Sequence, residues 1–147
     1  MLQRLIATTH TWITLPLRIA LGIIFIAHGA QKVFGAWGGP GIGKFTAASA
    51  PFGFMRPGWL WLGMAAIAEL VGGALVLLGL LTRAGAFFLA ITMLVAMFGV
   101  HWSGGLFLPR GIEYTVALLG MSLALLIAGG GRLSLDEQLQ GPRRRRF

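Results

Sequence analysis

Four residues that could carry proton or ligand chemistry lie inside segments that are otherwise apolar. His28, Gln31 and Lys32 fall in the segment RIALGIIFIAHGAQKVFG, and Glu69 falls in WLGMAAIAELVGGALVLLGLL. On a helix, spacings of three and four residues place Gln31 and Lys32 on the same face as His28. A charge in the hydrocarbon core of a membrane costs at least ~2.5–3.5 kcal/mol, so such residues are expected to pair or to function. Histidine, lysine and a carboxylate together can hydrogen-bond carbonyl oxygens and transfer protons.

Helix rise predicts that these groups lie at similar depth. At ~1.5 Å per residue, His28 lies ~9 Å below a helix end at Phe34, and Glu69 lies ~13 Å below an end at Leu60. His101 and Glu113 lie at the ends of two other apolar segments, on the same side of the membrane as Phe34 and Leu60. We call this side the outer side. The predicted ligand or proton site in the outer half therefore consists of His28, Gln31, Lys32, Glu69, His101 and Glu113.

Two interpretations of this cluster remain open. In the structural interpretation, Lys32 neutralises Glu69 or Glu113, and the network fixes the register of the helices. In the functional interpretation, the groups line a polar pocket that holds the head group of a quinone or another lipophilic ligand. At the inner side, Arg18 is expected to extend its charged end to the membrane surface.

The same residue types do not predict a metal or a covalent cofactor. Lys32 would oppose a cation, and no HxxxH or ExxH pattern accompanies the histidines and glutamates. Haem ligation would need two histidines at one depth, and His101 is too close to the surface. The chain contains no cysteine, so it supplies no thiolate for an iron–sulfur cluster or for thiol redox chemistry.

Composition predicts an integral membrane protein. Of the 147 residues, 56% are hydrophobic and 11% are charged, whereas soluble domains have roughly 25% charged residues. A membrane span needs about 20 apolar residues, and four segments qualify, at residues 17–34, 60–81, 84–100 and 112–128. We predict an all-α fold, a four-helix transmembrane bundle in one domain over residues 1–147.

Short amphipathic helices are predicted at both ends of the bundle. Near the start, five apolar residues suggest a helix on the membrane surface: Leu2, Leu5, Ile6, Trp12 and Ile13. Near the end, SLDEQL fits a capping box with Ser134 as N-cap and Glu137 three residues later. A short helix over residues 135–140 is expected to follow.

Charge distribution predicts the orientation. Four spans place both termini on one side, and that side carries Arg4, Arg18, Arg83, Arg132 and the basic tail at residues 141–147. The positive-inside rule then makes both termini cytoplasmic. The tail is expected to contact anionic lipids rather than nucleic acid, through Arg143, Arg144, Arg145 and Arg146.

Small residues on two helices predict close helix packing. Ala68 and Gly72 form one small-xxx-small pair, and Ala86 and Ala90 form another. Packing within the bundle is the simpler interpretation; contact with other subunits, including a homo-oligomer, is the alternative.

Two blocks of the sequence resemble the DoxX family of small bacterial membrane proteins. They are RIALGIIFIAHGAQKVFGAWGGPG and AAIAELVGGALVLLGLLTRAGAFFLAITMLVA, which together extend from Arg18 to Ala96. HGxQK at residues 28–32 and AEL-GG-LLGLLTR at residues 68–83 carry the likeness. The resemblance implies a four-helix protein of the bacterial inner membrane, related to the small subunit of thiosulfate:quinone oxidoreductase.

The expected function follows from this resemblance and from the polar cluster. We expect a subunit of, or accessory to, a quinone-linked membrane oxidoreductase, with a bound quinone as its cofactor and other subunits as partners. The alternative is a non-catalytic accessory subunit that packs against a larger membrane complex, with its buried charges serving as an internal network.

Overall fold

The computed structural model describes residues 2–140, and within that part every regular element is helical. The predicted lipid contacts of the arginine tail lie outside the described residues. Seven α-helices follow one another along the chain: α1 (Leu2–Leu5), α2 (Thr14–Phe34), α3 (Gly41–Ala47), α4 (Gly58–Leu78), α5 (Thr82–Ala96), α6 (Glu113–Ala128) and α7 (Leu135–Leu139).

Three helices of the described chain are long and apolar enough to cross a membrane. They are α2, α4 and the helical run Thr82–Gly104, in which α5 continues through a π-helical turn and a 3-10 turn. The fourth apolar helix, α6, has 16 residues, or ~24 Å at ~1.5 Å per residue. It is therefore shorter than the ~30 Å hydrocarbon core of a bilayer.

The apolar helices pack in chain order around a common core. Helix α2 lies against α4, α4 against α5, and α5 against α6, which also contacts α2. Leu21, Phe25, Val76, Leu89 and Leu125 are almost completely buried between them. The packing uses small residues: a Cβ on Gly73 would lie 2.9 Å from the Ile26 nitrogen, and one on Gly85 would lie 3.0 Å from the Gly72 carbonyl.

Large apolar side chains cover the outside of these helices. Ile23, Ile67, Phe88 and Ile127 are each more than half exposed. A soluble protein rarely exposes a contiguous apolar surface of this kind. The exposed faces, together with the helix lengths, are those of a membrane protein.

The N-terminal segment forms less helix than the sequence predicts. Helix α1 ends at Leu5, and a helix over residues 2–13 is not formed. The backbone beyond it bonds to the other end of the chain instead: Thr9 N donates to the Ala128 carbonyl, and Arg132 N donates to the Thr11 carbonyl. Ile6 is consequently buried, whereas Ile13 is exposed.

The C-terminal helix begins as predicted. The hydroxyl of Ser134 accepts a hydrogen bond of 3.1 Å from Glu137 N, and α7 follows over Leu135–Leu139. The carboxylate of Glu137 accepts from Leu133 N at 3.1 Å and contacts His10 Nδ1 at 2.8 Å. The first and last described segments of the chain therefore meet at one end of the molecule, which we call the terminal end.

Candidate functional site

Lys32 of α2 and Glu69 of α4 form an ion pair between the two helices. The Lys32 ammonium donates to both carboxylate oxygens of Glu69. Glu69 is only 2% exposed, while the Lys32 side chain keeps 25% of its surface accessible. The carboxylate is thus enclosed by protein, and the lysine side chain is the part of the pair that keeps accessible surface.

Gly29 explains how the two helices come close enough for this pair. A Cβ on Gly29 would lie 2.5 Å from the backbone nitrogen of Leu70, the residue after Glu69. Backbone packs directly on backbone at this level, which only glycine permits. Because Lys32 lies about one turn further along α2, its side chain can reach the carboxylate.

A third element covers the pair. Helix α3 packs against both α2 and α4, and the Lys32 ammonium lies 5.3 Å from the ring centroid of Phe45. An ammonium over an aromatic face is stabilised by the ring quadrupole. Helix α3, in the connection between α2 and α4, thereby places an aromatic ring beside Lys32.

His28 and Gln31 do not bond to this pair. His28 is exposed, and its ring centroid lies 6.5 Å from that of Tyr114 on α6 at an angle of 57°. It therefore faces the α6 side of α2. Gln31 is half-buried, and its carbonyl accepts from Gly35 N at 3.2 Å, where α2 ends.

His101 and Glu113 shape a loop at the outer side. The Glu113 carboxylate accepts a 2.7 Å hydrogen bond from Leu108 N. His101 Nδ1 lies 3.4 Å from the Arg110 carbonyl, beside a 290 Å³ cavity lined by Val100, His101, Ser103, Gly104, Pro109 and Arg110. Among residues 2–140, then, the six candidates contribute one ion pair and separate local contacts rather than a single bonded cluster.

Arg18, which we expected to extend to the membrane surface, is buried instead. It is 2% exposed and donates to carbonyls at the end of α4, with Nε 3.1 Å from Val76 O and Nη2 3.0 Å from Leu77 O. Its Nη1 donates to Gly130 O at 3.0 Å. The last carbonyls of a helix lack partners within the helix, so a planar guanidinium at this position satisfies several of them.

Asp136 caps the start of α5, as Arg18 caps the end of α4. Its carboxylate, only 1% exposed, accepts from Leu81 N at 2.7 Å, Thr82 N at 2.9 Å and the Thr82 hydroxyl at 2.7 Å. The sequence predicted the helix that contains Asp136 but not this contact, since nothing local links residues so far apart. The only sign of this contact in the sequence was that Asp136 is one of only four acidic residues in the chain.

No group of three or more histidine, aspartate or glutamate side chains within residues 2–140 is arranged to hold a metal ion. The most buried charged side chains are those of the Lys32–Glu69 pair near the outer side and of Arg18 and Asp136 at the terminal end. Of these, only the Lys32–Glu69 pair combines a buried carboxylate with an accessible donor.

The family model of DoxX matches residues 13–102 of this chain. The chain belongs to the DoxX family. The match includes the elements that hold Lys32 and Glu69, whereas Asp136 lies beyond it. No solved structure matches this DoxX chain.

Two curated relatives align with most of this DoxX protein. A protein of Haemophilus influenzae, named "Uncharacterized protein", is 34% identical over 126 residues, covering 83% of this chain and 87% of the relative. A Bacillus subtilis protein named "Putative oxidoreductase CatD" is 34% identical over 123 residues, which is 84% of each chain.

Proposed function

We propose that this DoxX protein is a subunit of, or accessory to, a quinone-linked oxidoreductase of the bacterial inner membrane. The observation that carries the proposal is the buried Lys32–Glu69 pair, in which the lysine side chain remains 25% accessible. The name of the Bacillus subtilis relative, which refers to an oxidoreductase, supports the same class of activity.

The chemistry of the pair suits a quinone head group. An ammonium can donate a hydrogen bond to a quinone carbonyl oxygen and transfer a proton to it on reduction, while a carboxylate behind the ammonium holds it in position. Reduction of a quinone to a quinol consumes two electrons and two protons. In this proposal a partner subunit supplies both electrons, Lys32 transfers one proton and regains it from water at its accessible side chain, and water supplies the second proton. The ring of Phe45 offers a flat apolar surface next to the ammonium. A bound quinone is the one cofactor proposed.

The membrane arrangement forms part of the proposal. Helices α2, α4, α5 and α6 cross the membrane as a four-helix bundle, with the shorter α6 thinning the bilayer locally. The terminal end lies in the cytoplasm, and α1 and α7 lie at the membrane surface. The arginine tail contacts anionic lipids, while the apolar outer faces contact lipid, other subunits or a second copy of the chain.

A structural role for the pair is the second candidate. Both carboxylate oxygens of Glu69 accept from Lys32, so each oxygen already has a donor without a ligand. In this case the pair fixes α2 against α4, and the protein is a non-catalytic accessory subunit.

An exchange of the two charges distinguishes these candidates. The double variant Lys32→Glu/Glu69→Lys keeps an ion pair between α2 and α4 but moves the accessible cation into the buried position. The experiment measures the Tm of the purified chain, the quinone extracted with it, and quinone-dependent electron transfer in native membranes. Glu113→Gln is the matched control, because that carboxylate bonds to a loop instead.

If the pair is a ligand site, Glu69→Gln and the charge exchange should both abolish bound quinone and electron transfer. The exchanged variant should nevertheless keep the wild-type Tm. A structural pair predicts that Glu69→Gln lowers the Tm and that the exchange restores both Tm and electron transfer. Two results together would refute the quinone site. The wild-type chain would be purified from native membranes without quinone, and the exchanged variant would have wild-type electron transfer.

A further inference from the structure

An apolar groove lies beside Arg83 near the terminal end, far along the helices from Lys32. Its volume is 560 Å³, and its lining comes from α1, the first turns of α5 and the end of α6: Leu5, Arg83, Ala84, Phe87, Phe88 and Leu126. The volume falls within the ~300–1,000 Å³ typical of ligand sites. Apart from Arg83, every residue of this lining is apolar.

The guanidinium of Arg83 is held in place at the edge of the groove. Its Nε donates to the Ala7 carbonyl at 2.9 Å, and its Nη2 donates to the Ile127 carbonyl at 2.8 Å. A guanidinium carries five N–H donors, so these two bonds leave donors for a further acceptor. Within residues 2–140, no carboxylate lies within ion-pair distance of Arg83.

Nearby acidic groups do not neutralise this charge. The carboxylate of Asp136 is directed at the backbone of Leu81 and Thr82 and interacts electrostatically with Arg18. Glu137 contacts His10. A half-buried cation at the end of an apolar groove therefore lacks a counter-ion among the described side chains.

The groove opens toward the apolar outside of the helices. Phe87 and Phe88 are 47% and 53% exposed, and Ile91 one turn further along α5 is also exposed. In a membrane protein such a face borders the acyl chains. An occupant that satisfies both parts of the groove has an anionic head and a long apolar chain.

We propose that this groove is a binding site for an anionic glycerophospholipid. The phosphate oxygens accept from the remaining N–H groups of Arg83, whose planar fork matches a phosphate better than an ammonium does. One acyl chain runs along Phe87, Phe88 and Leu126. The site is separate from the Lys32–Glu69 pair and depends only on the protein being in a membrane.

Native mass spectrometry of the purified full chain tests the site with two lipid probes. The probes are palmitoyl-oleoyl phosphatidylglycerol, which is anionic, and the zwitterionic phosphatidylcholine with the same chains. The variants are Arg83→Gln, Arg83→Lys and Ala84→Phe, which fills the groove without a change of charge. The matched control is Arg132→Gln, since Arg132 lies 5.5 Å from the Trp12 ring, outside the groove lining.

We expect the wild-type chain to prefer phosphatidylglycerol. Arg83→Gln should weaken binding of phosphatidylglycerol about fivefold, the effect of roughly 1 kcal/mol per basic residue at an anionic lipid surface. Arg83→Lys should retain part of the preference, and Ala84→Phe should weaken binding of both lipids. Arg132→Gln should change neither by more than about twofold.

Three results would overturn the proposal. The first is equal binding of the two lipids by the wild-type chain. The second is an unchanged preference for phosphatidylglycerol in Arg83→Gln, and the third is an equal loss of phosphatidylglycerol binding in Arg83→Gln and Arg132→Gln. The last would attribute lipid binding to the overall basic charge. If Arg83→Gln fails to fold, as judged by its Tm in the same detergent, Arg83→Lys and Ala84→Phe decide the question by the same comparison.

Discussion

The carboxylate of Asp136 caps the helix that begins at Thr82, although 54 residues separate them in the chain. It accepts from the backbone of Leu81 and Thr82 and from the Thr82 hydroxyl. The C-terminal segment is therefore bound to the helical core through the unpaired N–H groups at the start of α5.

Replacement of Asp136 should destabilise the protein. We expect Asp136→Ala to lower the free energy of unfolding by about 2–3 kcal/mol, because it removes charge-assisted hydrogen bonds to buried donors. Thermal unfolding in detergent measures the change. Gln138→Ala, at an exposed position of the same helix, is the control and should behave like the wild type. An equal Tm for both variants would show that the cap contributes little.

Arg18 should prove necessary to hold the C-terminal segment against α2 and α4. Arg18→Met leaves carbonyls of α4 and of residues 130–133 without this donor, at a cost of about 1–3 kcal/mol for each one that stays buried and unsatisfied. We expect the segment to open, so that trypsin cleaves after the exposed Arg132 faster than in the wild type. Arg18→Lys should show an intermediate rate, since an ammonium has three donors and no planar fork. Wild-type cleavage rates in Arg18→Met would contradict this role.

Gly29 should tolerate no side chain. In Gly29→Ala the added Cβ would meet the Leu70 backbone at 2.5 Å, so α2 and α4 must separate and the Lys32–Glu69 pair must lengthen. Thermal unfolding should show a lower Tm. Gly120→Ala is the matched control, because a Cβ there meets nothing within 4 Å and alanine favours a helix by about 1 kcal/mol. A lower Tm in Gly120→Ala than in Gly29→Ala would refute the close contact.

Phe45 should protect Lys32 from chemical modification. In Phe45→Ala the ammonium loses the aromatic face 5.3 Å away, and we expect an amine-reactive ester to acylate Lys32 faster than in the wild type. Mass spectrometry gives the rate, with the exposed Lys44 as the internal standard in each sample. An unchanged ratio of Lys32 to Lys44 modification would show that α3 does not cover the pair.

The proposed orientation can be checked with single cysteines, since the natural chain has none. Lys44→Cys should react with a membrane-impermeant maleimide in intact spheroplasts. Gln138→Cys should react only after the membrane is permeabilised, because the terminal end is proposed to be cytoplasmic. The reverse pattern would invert the topology.

Much of the helical layout could be predicted from hydropathy alone. The predicted spans at residues 17–34 and 60–81 overlap α2 and α4; the end of α2 is reproduced, and the other three bounds differ by two or three residues. The pairing of Lys32 with Glu69 was one of two expected partnerships, because an isolated charge in an apolar helix needs a counter-ion at its own depth. The capping box at Ser134 was visible because all its residues are local.

The remaining contacts depend on which way each helix faces. Residues four apart on a helix are still offset by about 40°, at about 3.6 residues per turn. Lys32 can thus face α4 while His28 faces Tyr114 on α6. Glu113 accepts from Leu108 N in a loop, and hydropathy does not predict the conformation of that loop. Arg18 and Asp136 contact residues more than 50 positions away, and no periodicity encodes such a contact.

The contact between the first and last described segments of the chain affects how this protein can unfold. Thr9 bonds to Ala128, and Thr11 bonds to Arg132, so these two segments are held together by backbone hydrogen bonds. A force applied beyond α7 would act first on the Asp136 contacts to α5 and then on this junction, before it could extract α6. Unfolding from either of these segments should therefore include one shared rupture, that of this junction, before α2 or α6 is released.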